Sequence, residues 1–212
     1  MSLKKNLDVI IFEKMRNSII EGLWTPGTQI DIDEIARHYE VSRTPVVQAL
    51  KCMQTQGMVI CVSTGKFFVP SFTSQEVENI CKIRQLLEIE AINELRSFKT
   101  DFSSLKRLSQ KCKEATLEGD VIQSRRYDLE YHKTLIILSQ NLCLQNIYEK
   151  VQGQFMVANY LLGVHSTEQQ AFANNEHFEL VEAFEKGQYD SAIEIMKNHM
   201  KFALTNLLER MN

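Results

Sequence analysis

Asp128 and His132 stand four residues apart in Asp128-Leu129-Glu130-Tyr131-His132, a spacing that stacks a carboxylate and an imidazole on one helix face. Two further imidazoles follow, His177 in Asn174-Asn175-Glu176-His177-Phe178 and His199 in Met196-Lys197-Asn198-His199-Met200. Carried on three helices, one Asp and three His can converge inside a bundle, a common way to build a metal site. Imidazole and carboxylate suit Zn²⁺, Ni²⁺, Mn²⁺ or Fe²⁺ better than Ca²⁺ or Mg²⁺. A six-coordinate ion with four protein ligands keeps places for water or a carboxylate. Such an ion can activate water, so a metal-dependent hydrolase or lyase is one reading. No HExxH-type pairing supplies a base beside the ligands, however, and Glu130 and Glu176 are expected to face away from them.

A second constellation suits nucleic acid rather than metal. Ser42-Arg43-Thr44-Pro45-Val46-Val47-Gln48-Ala49-Leu50 reads as the start of a helix, with Ser42 as N-cap and Pro45 in the first turn. Val46, Ala49, Leu50 and Met53 recur at i, i+3, i+4 and i+7 and make its buried face. Arg43, Thr44, Val47 and Gln48 are then left facing outward at its N-terminal end. Arg43 is the best candidate for a base edge, because arginine meets guanine bidentately. Thr44 and Ser42 suit phosphate. Gln48 can bond adenine or stay intramolecular.

The elements that must position these groups follow from periodicity and breakers. Residues 7–22 read as a helix ending at Gly22, and Trp24-Thr25-Pro26-Gly27 as a turn. Asp31 caps a short helix over 32–39, Glu40-Val41 turns the chain, and the Ser42 helix stops near Gly57. Met58–Val62, Ser63-Thr64-Gly65-Lys66 and Phe67–Val69 read as a β-hairpin. Three helices plus a hairpin is a winged helix-turn-helix, with Lys66 on the wing placed to meet phosphate. Beyond Thr73 or Ser74 the only glycine breaks are Gly119, Gly153, Gly163 and Gly187, and helices are expected near 74–97, 102–118, 121–139, 141–164, 172–186 and 189–210. The expected fold is mainly α: a winged helix-turn-helix over 1–72, then an all-α helical-bundle ligand-binding domain over 73–212.

Net charge is −3 over 212 residues, which argues against a nonspecific nucleic-acid coat, so any basic face must be local. The first 72 residues carry net +1 and the remainder −4. The five cysteines are scattered without a CxxC pair, which fits a reducing cytoplasm. No apolar run approaches the roughly 18 residues of a membrane span, and no secretory leader is expected. Tyr131, Tyr148, Phe155, Tyr160 and Phe178 read as core, and His38 and His165 have no assigned role. Arg84 needs a partner if buried, either an effector carboxylate or an internal Glu such as Glu88.

Ile19…Glu21-Gly22…Pro26-Gly27…Ile35-Ala36, then Val41-Ser42-Arg43-Thr44-Pro45-Val46…Ala49-Leu50…Gly57-Met58-Val59, resembles the DNA-binding domain of the GntR family of bacterial transcription regulators. Arg84…Leu87-Glu88…Ala91, Asp128-x3-His132…Ser139-Gln140-Asn141 and Glu176-His177…Gly187…Asp190…Met196…His199 resemble the FCD effector domain of its FadR-like branch. The resemblance implies a homodimeric, cytoplasmic regulator on double-stranded palindromic operator DNA. It further implies that Asp128, His132, His177 and His199 bind a divalent metal that helps hold a small organic-acid effector, with Arg84 beside it; a metal-free pocket is the variant reading. Two positions depart from the pattern. Val47-Gln48 stands where Arg-Glu is common, which removes a guanine-suited donor and leaves Val47 for a thymine methyl. Gly65 is followed by Lys66-Phe67-Phe68 rather than by a second wing glycine.

Overall fold

The computed structural model describes residues 7–62, 65–161 and 167–211. Met1 to Leu3, the turn residues Ser63 and Thr64, and Gly163 and His165 lie outside the described residues. The elements are α1 (Leu7–Ile20), α2 (Ile32–His38), α3 (Arg43–Thr55), β1 (Ile60–Cys61), β2 (Phe67–Phe68), α4 (Ser74–Leu95), α5 (Ser103–Leu117), α6 (Val121–Leu138), α7 (Leu142–Leu161), α8 (Thr167–Glu185) and α9 (Tyr189–Glu209).

α1 ends where Gly22 takes a positive φ of 69°, letting the Leu23 N–H return to the Ser18 carbonyl at 2.9 Å. The Asp31 carboxylate accepts the Asp33 and Glu34 amides and starts α2. Ser42 holds the N-cap position of α3 with extended backbone, yet its hydroxyl makes no capping hydrogen bond. The expected side-chain cap is therefore absent, and α3 is held by burial of Pro45, Val46, Ala49, Leu50 and Met53 in one core with Ile11, Met15 and Ile19 of α1. Both strands are shorter than expected, pairing Ile60 with Phe68 and Cys61 with Phe67 antiparallel. Gln29 bridges Phe68 from the other side, and Ile30 donates to the Phe67 carbonyl at 2.8 Å. This third segment steadies a hairpin that would be marginal alone.

Thr73 opens α4 with a full capping box, its hydroxyl taking the Glu76 amide while the Glu76 carboxylate takes the Thr73 amide. α4 spans both cores: Val77 and Cys81 join the core of the winged helix, Ala91, Ile92 and Leu95 that of the bundle. α7 does the same, with Phe155 to Ala158 in the first core and Leu144 and Tyr148 in the second. Gly153, one of the glycines noted as possible breaks, lies inside α7, as the helix expected over 141–164 has it. α8 begins at Thr167 rather than near 172. No helix among the described residues is long and apolar enough to cross a membrane.

Candidate metal centre and nucleic-acid interface

α6 carries Asp128 and His132, α8 carries His177, and α9 carries His199. Their ligand atoms all lie within 4.8 Å of one another. His132 Nε2 is 3.1 Å from His199 Nε2 and 3.4 Å from His177 Nε2, while Asp128 Oδ1 is 3.7 Å from His132 Nε2 and 3.5 Å from His177 Nε2. The three imidazoles are buried and the Asp128 side chain is 25% exposed.

Two carboxylates behind the cluster set the ring orientation. Glu88 Oε2 of α4 meets His132 Nδ1 at 2.5 Å, and Glu176 Oε2 meets His199 Nδ1 at 2.9 Å. A carboxylate acceptor at Nδ1 places the proton there and turns the Nε2 lone pair inward. Glu176 thus does not face away, as expected from its place beside His177; one residue further round α8, it reaches α9. Glu130 is exposed. Burial alone would raise the Glu88 carboxyl, but His132 and Arg84 outweigh it and bring its pKa down to about 2. Asp128 is also shifted down, because His132, His177 and Arg84 overcome its desolvation. Burial and the neighbouring His199 hold His177 well below the ordinary imidazole range. Imidazole nitrogens gathered at one point beside a carboxylate held ionised are the donor set that a transition-metal ion takes. The residues present therefore fit a divalent cation.

A cavity of about 60 Å³ adjoins the cluster, lined among others by Arg84, Asp128, Phe155, Asn174, His199 and Phe202. That is room for a handful of water-sized groups. Arg84, 1% exposed, donates through Nε to Glu88 Oε1 at 2.8 Å and to the Tyr148 hydroxyl at 3.3 Å. Its guanidinium lies 3.9 Å from the centre of the Phe155 ring. Arg84 Nη2 is buried and has no hydrogen-bond partner among the described residues. The internal Glu88 partner is thus present and one donor remains, a costly arrangement unless an acceptor enters.

At the other end of the molecule, Ser42, Arg43, Thr44, Gln48 and Lys66 are exposed and Val47 is half-buried. Arg43 Nη1 lies 3.1 Å from Asp33 Oδ1 and 3.2 Å from Oδ2, so the first turn of α2 holds the end of this arginine. Being exposed, the pair is worth less than about 1 kcal/mol and yields readily to a base or phosphate. Residue spacing alone shows no sign of Asp33, Glu176 or Tyr148 as partners, since each acts across helices. His38 is exposed, and Tyr131, Tyr148, Phe155 and Tyr160 are core as expected, whereas Phe178 is half-buried.

A winged helix-turn-helix joined to a helical bundle with an internal cavity is the architecture of a DNA-binding regulator with a ligand-binding domain. Residues 9–69 match the bacterial regulatory proteins of the gntR family and residues 79–202 match the FCD domain. The chain therefore belongs to the GntR family of transcriptional regulators, with an FCD effector-binding domain. It is similar to the HTH-type regulator YdhC of Bacillus subtilis (strain 168), 27% identical over 147 residues covering 66% of this chain and 64% of that protein. The match thus spans a little under two thirds of that relative's length. Among solved structures, E. coli McbR/YncC superposes with a TM-score of 0.85 at 18% identity over 98% of this chain and 99% of that one. A putative GntR regulator from Rhodococcus sp. RHA1 gives 0.81 at 17% identity, over 95% and 97%. Such likenesses show the fold. YdhC and the family that the domain matches define are transcriptional regulators.

Proposed function

We propose that this protein is a cytoplasmic, homodimeric regulator of a palindromic operator whose affinity is set by a small organic acid held at a divalent metal. Asp128, His132, His177 and His199 would hold the ion (Zn²⁺, Ni²⁺, Mn²⁺ or Fe²⁺), which supplies a Lewis-acidic anchor for a carboxylate. Arg84 Nη2 offers that carboxylate a second contact, and Phe155 and Phe202 shape the space around its carbon chain. The observation that carries the reading is the pair of outward Nδ1 contacts to Glu88 and Glu176. They turn the His132 and His199 Nε2 lone pairs toward each other across 3.1 Å, which only a proton or a cation satisfies. Elemental analysis of protein purified without chelators or a nickel column is expected to find about one divalent metal per chain. Metal near zero in every preparation would leave a metal-free pocket.

For the DNA face we propose that α3 enters the major groove of each half-site, with Arg43 on a base edge, Ser42, Thr44 and Lys66 on phosphate, and Val47 and Gln48 toward the bases. The boundary between the two functional halves falls near residues 72–73. Arg43→Ala should weaken the cognate site by about 1–3 kcal/mol in a mobility-shift titration. Val47→Arg should shift preference toward guanine at one position of a randomised half-site. An unchanged preference means that residue 47 does not face the bases.

A further inference from the structure

α7 touches the chemistry at both ends of the molecule. Toward the bundle, the Tyr148 hydroxyl donates to Glu88 Oε1 at 2.7 Å, and the other oxygen of Glu88 holds His132. Phe155 underlies Arg84 and lines the cavity. Five residues on from Tyr148, about 7.5 Å along the helix, Gly153 rests against the turn that ends α3. A Cβ on Gly153 would stand 1.8 Å from the Gln56 carbonyl oxygen and 3.0 Å from its carbon, with Met58 Cγ at 3.3 Å. The approach is reciprocal: a Cβ on Gly57 would meet Gln154 Cγ at 2.7 Å and the Lys150 carbonyl oxygen at 2.9 Å.

Gly57 has a second reason to be glycine, its positive φ of 72°. Gly153 has none, since it sits in a helix interior where glycine costs about 1 kcal/mol against alanine. Close approach alone explains it. At the Gly153–Gln56 contact helix backbone meets turn backbone directly, with the Met58 and Gln154 side chains packed beside it, and well-packed interiors transmit strain.

We propose that the Gly153–Gln56/Gly57 joint couples the metal and effector site to the recognition helix, with α7 as the moving part. This rests on the function proposed above. An occupant that fixes His132 and Arg84 also fixes Glu88 and Tyr148, and with them the axial position and rotation of α7. Gly153 then resets the seat of the turn after α3, and the pitch of α3 changes with it.

Hydrogen exchange by mass spectrometry on the full chain, with Zn²⁺ as probe at saturation, tests the joint. In the wild type, Zn²⁺ should slow exchange in ligand-bearing peptides of α6, α8 and α9 and also change it over residues 52–60. In Gly153→Ala the ligand peptides should still respond while 52–60 does not. Tyr148→Phe, which adds no bulk and keeps the fold if Gly153→Ala does not, should lose the 52–60 response as well. Protected ligand peptides with an unchanged 52–60 segment in the wild type overturn the joint. If Zn²⁺ protects none of the ligand peptides, the metal reading fails and operator affinity decides the joint alone. Gly153→Ala should then shift the dissociation constant for the DNA upstream of the protein's own gene by at least about fivefold, and Tyr148→Phe added to it by less than twofold. Independent, additive shifts would overturn the proposal.

Discussion

Replacing Glu88 by alanine is expected to destabilise the fold by about 3–5 kcal/mol, the usual cost of stranding one member of a buried ion pair. Glu88 is fully buried and Arg84 is 1% exposed, so the loss of the carboxylate leaves a buried guanidinium without its charge partner. Its removal takes the Oε1 acceptor from Arg84 Nε and the Tyr148 hydroxyl, and the Oε2 acceptor from His132 Nδ1. Urea unfolding monitored by circular dichroism measures the loss; a change below about 1 kcal/mol would mean that Arg84 finds another partner. The same carboxylate sets a pH dependence. Its folded pKa of about 2 lies below the ordinary 4.5, so its stabilisation is complete above 4.5 and fades as pH falls toward 2. Between pH 5 and 3 the melting temperature of the wild type should therefore fall more steeply than that of Glu88→Gln.

The second large effect is expected at His177. Among the three imidazoles it is the cleanest to remove, because His177 Nδ1 has no hydrogen-bond partner among the described residues. The Tyr131 hydroxyl bonds the His177 backbone carbonyl at 3.2 Å, a contact that alanine retains. What alanine loses is the ring stacked 4.1 Å from Tyr131 and the inward Nε2. His177→Ala should weaken divalent metal binding by more than about 100-fold, beyond the range for outer-shell changes. Titration calorimetry with Zn²⁺ reads this directly, and His38→Ala, exposed and remote, serves as the control. His132→Ala is less telling, since it also strands Glu88. If His177→Ala binds Zn²⁺ as tightly as the wild type, the four residues do not form one site.

Spacing alone pointed only weakly to Asp128, His132, His177 and His199; the resemblance to the FCD domain singled them out, and three helices bring their ligand atoms together. The winged helix was legible directly: Gly22, Asp31 and Gly57 punctuate it with local chemistry. What stayed hidden acts across elements. Nothing in the neighbourhood of Glu176 reveals that α9 brings His199 to it, nor does the spacing of Tyr148 reveal Glu88 sixty residues earlier. Ser42 shows the limit of local signals: the residue type and backbone suit a cap, but packing holds α3 without the hydroxyl. The expected helix over 141–164 already ran through Gly153, but the reason for a glycine there stayed hidden, because a sequence cannot distinguish a glycine that loosens a helix from one that admits a neighbouring backbone.

In the DNA-facing role proposed for it, Arg43 would reach the duplex from Asp33 and not from open water. On arbitrary sequence the guanidinium exchanges one anion for another, and the Asp33 carboxylate left behind faces phosphates that repel it. Few counterions are released in that exchange, so the dependence of nonspecific affinity on salt should be shallow. With a net charge of only +1 over its first 72 residues, the chain should bind generic duplex sparingly. A bacterial genome offers on the order of 10⁶ or more competing sites. Short stays on those sites leave a larger share of the molecules free to search, so a modest number of copies can keep one operator occupied.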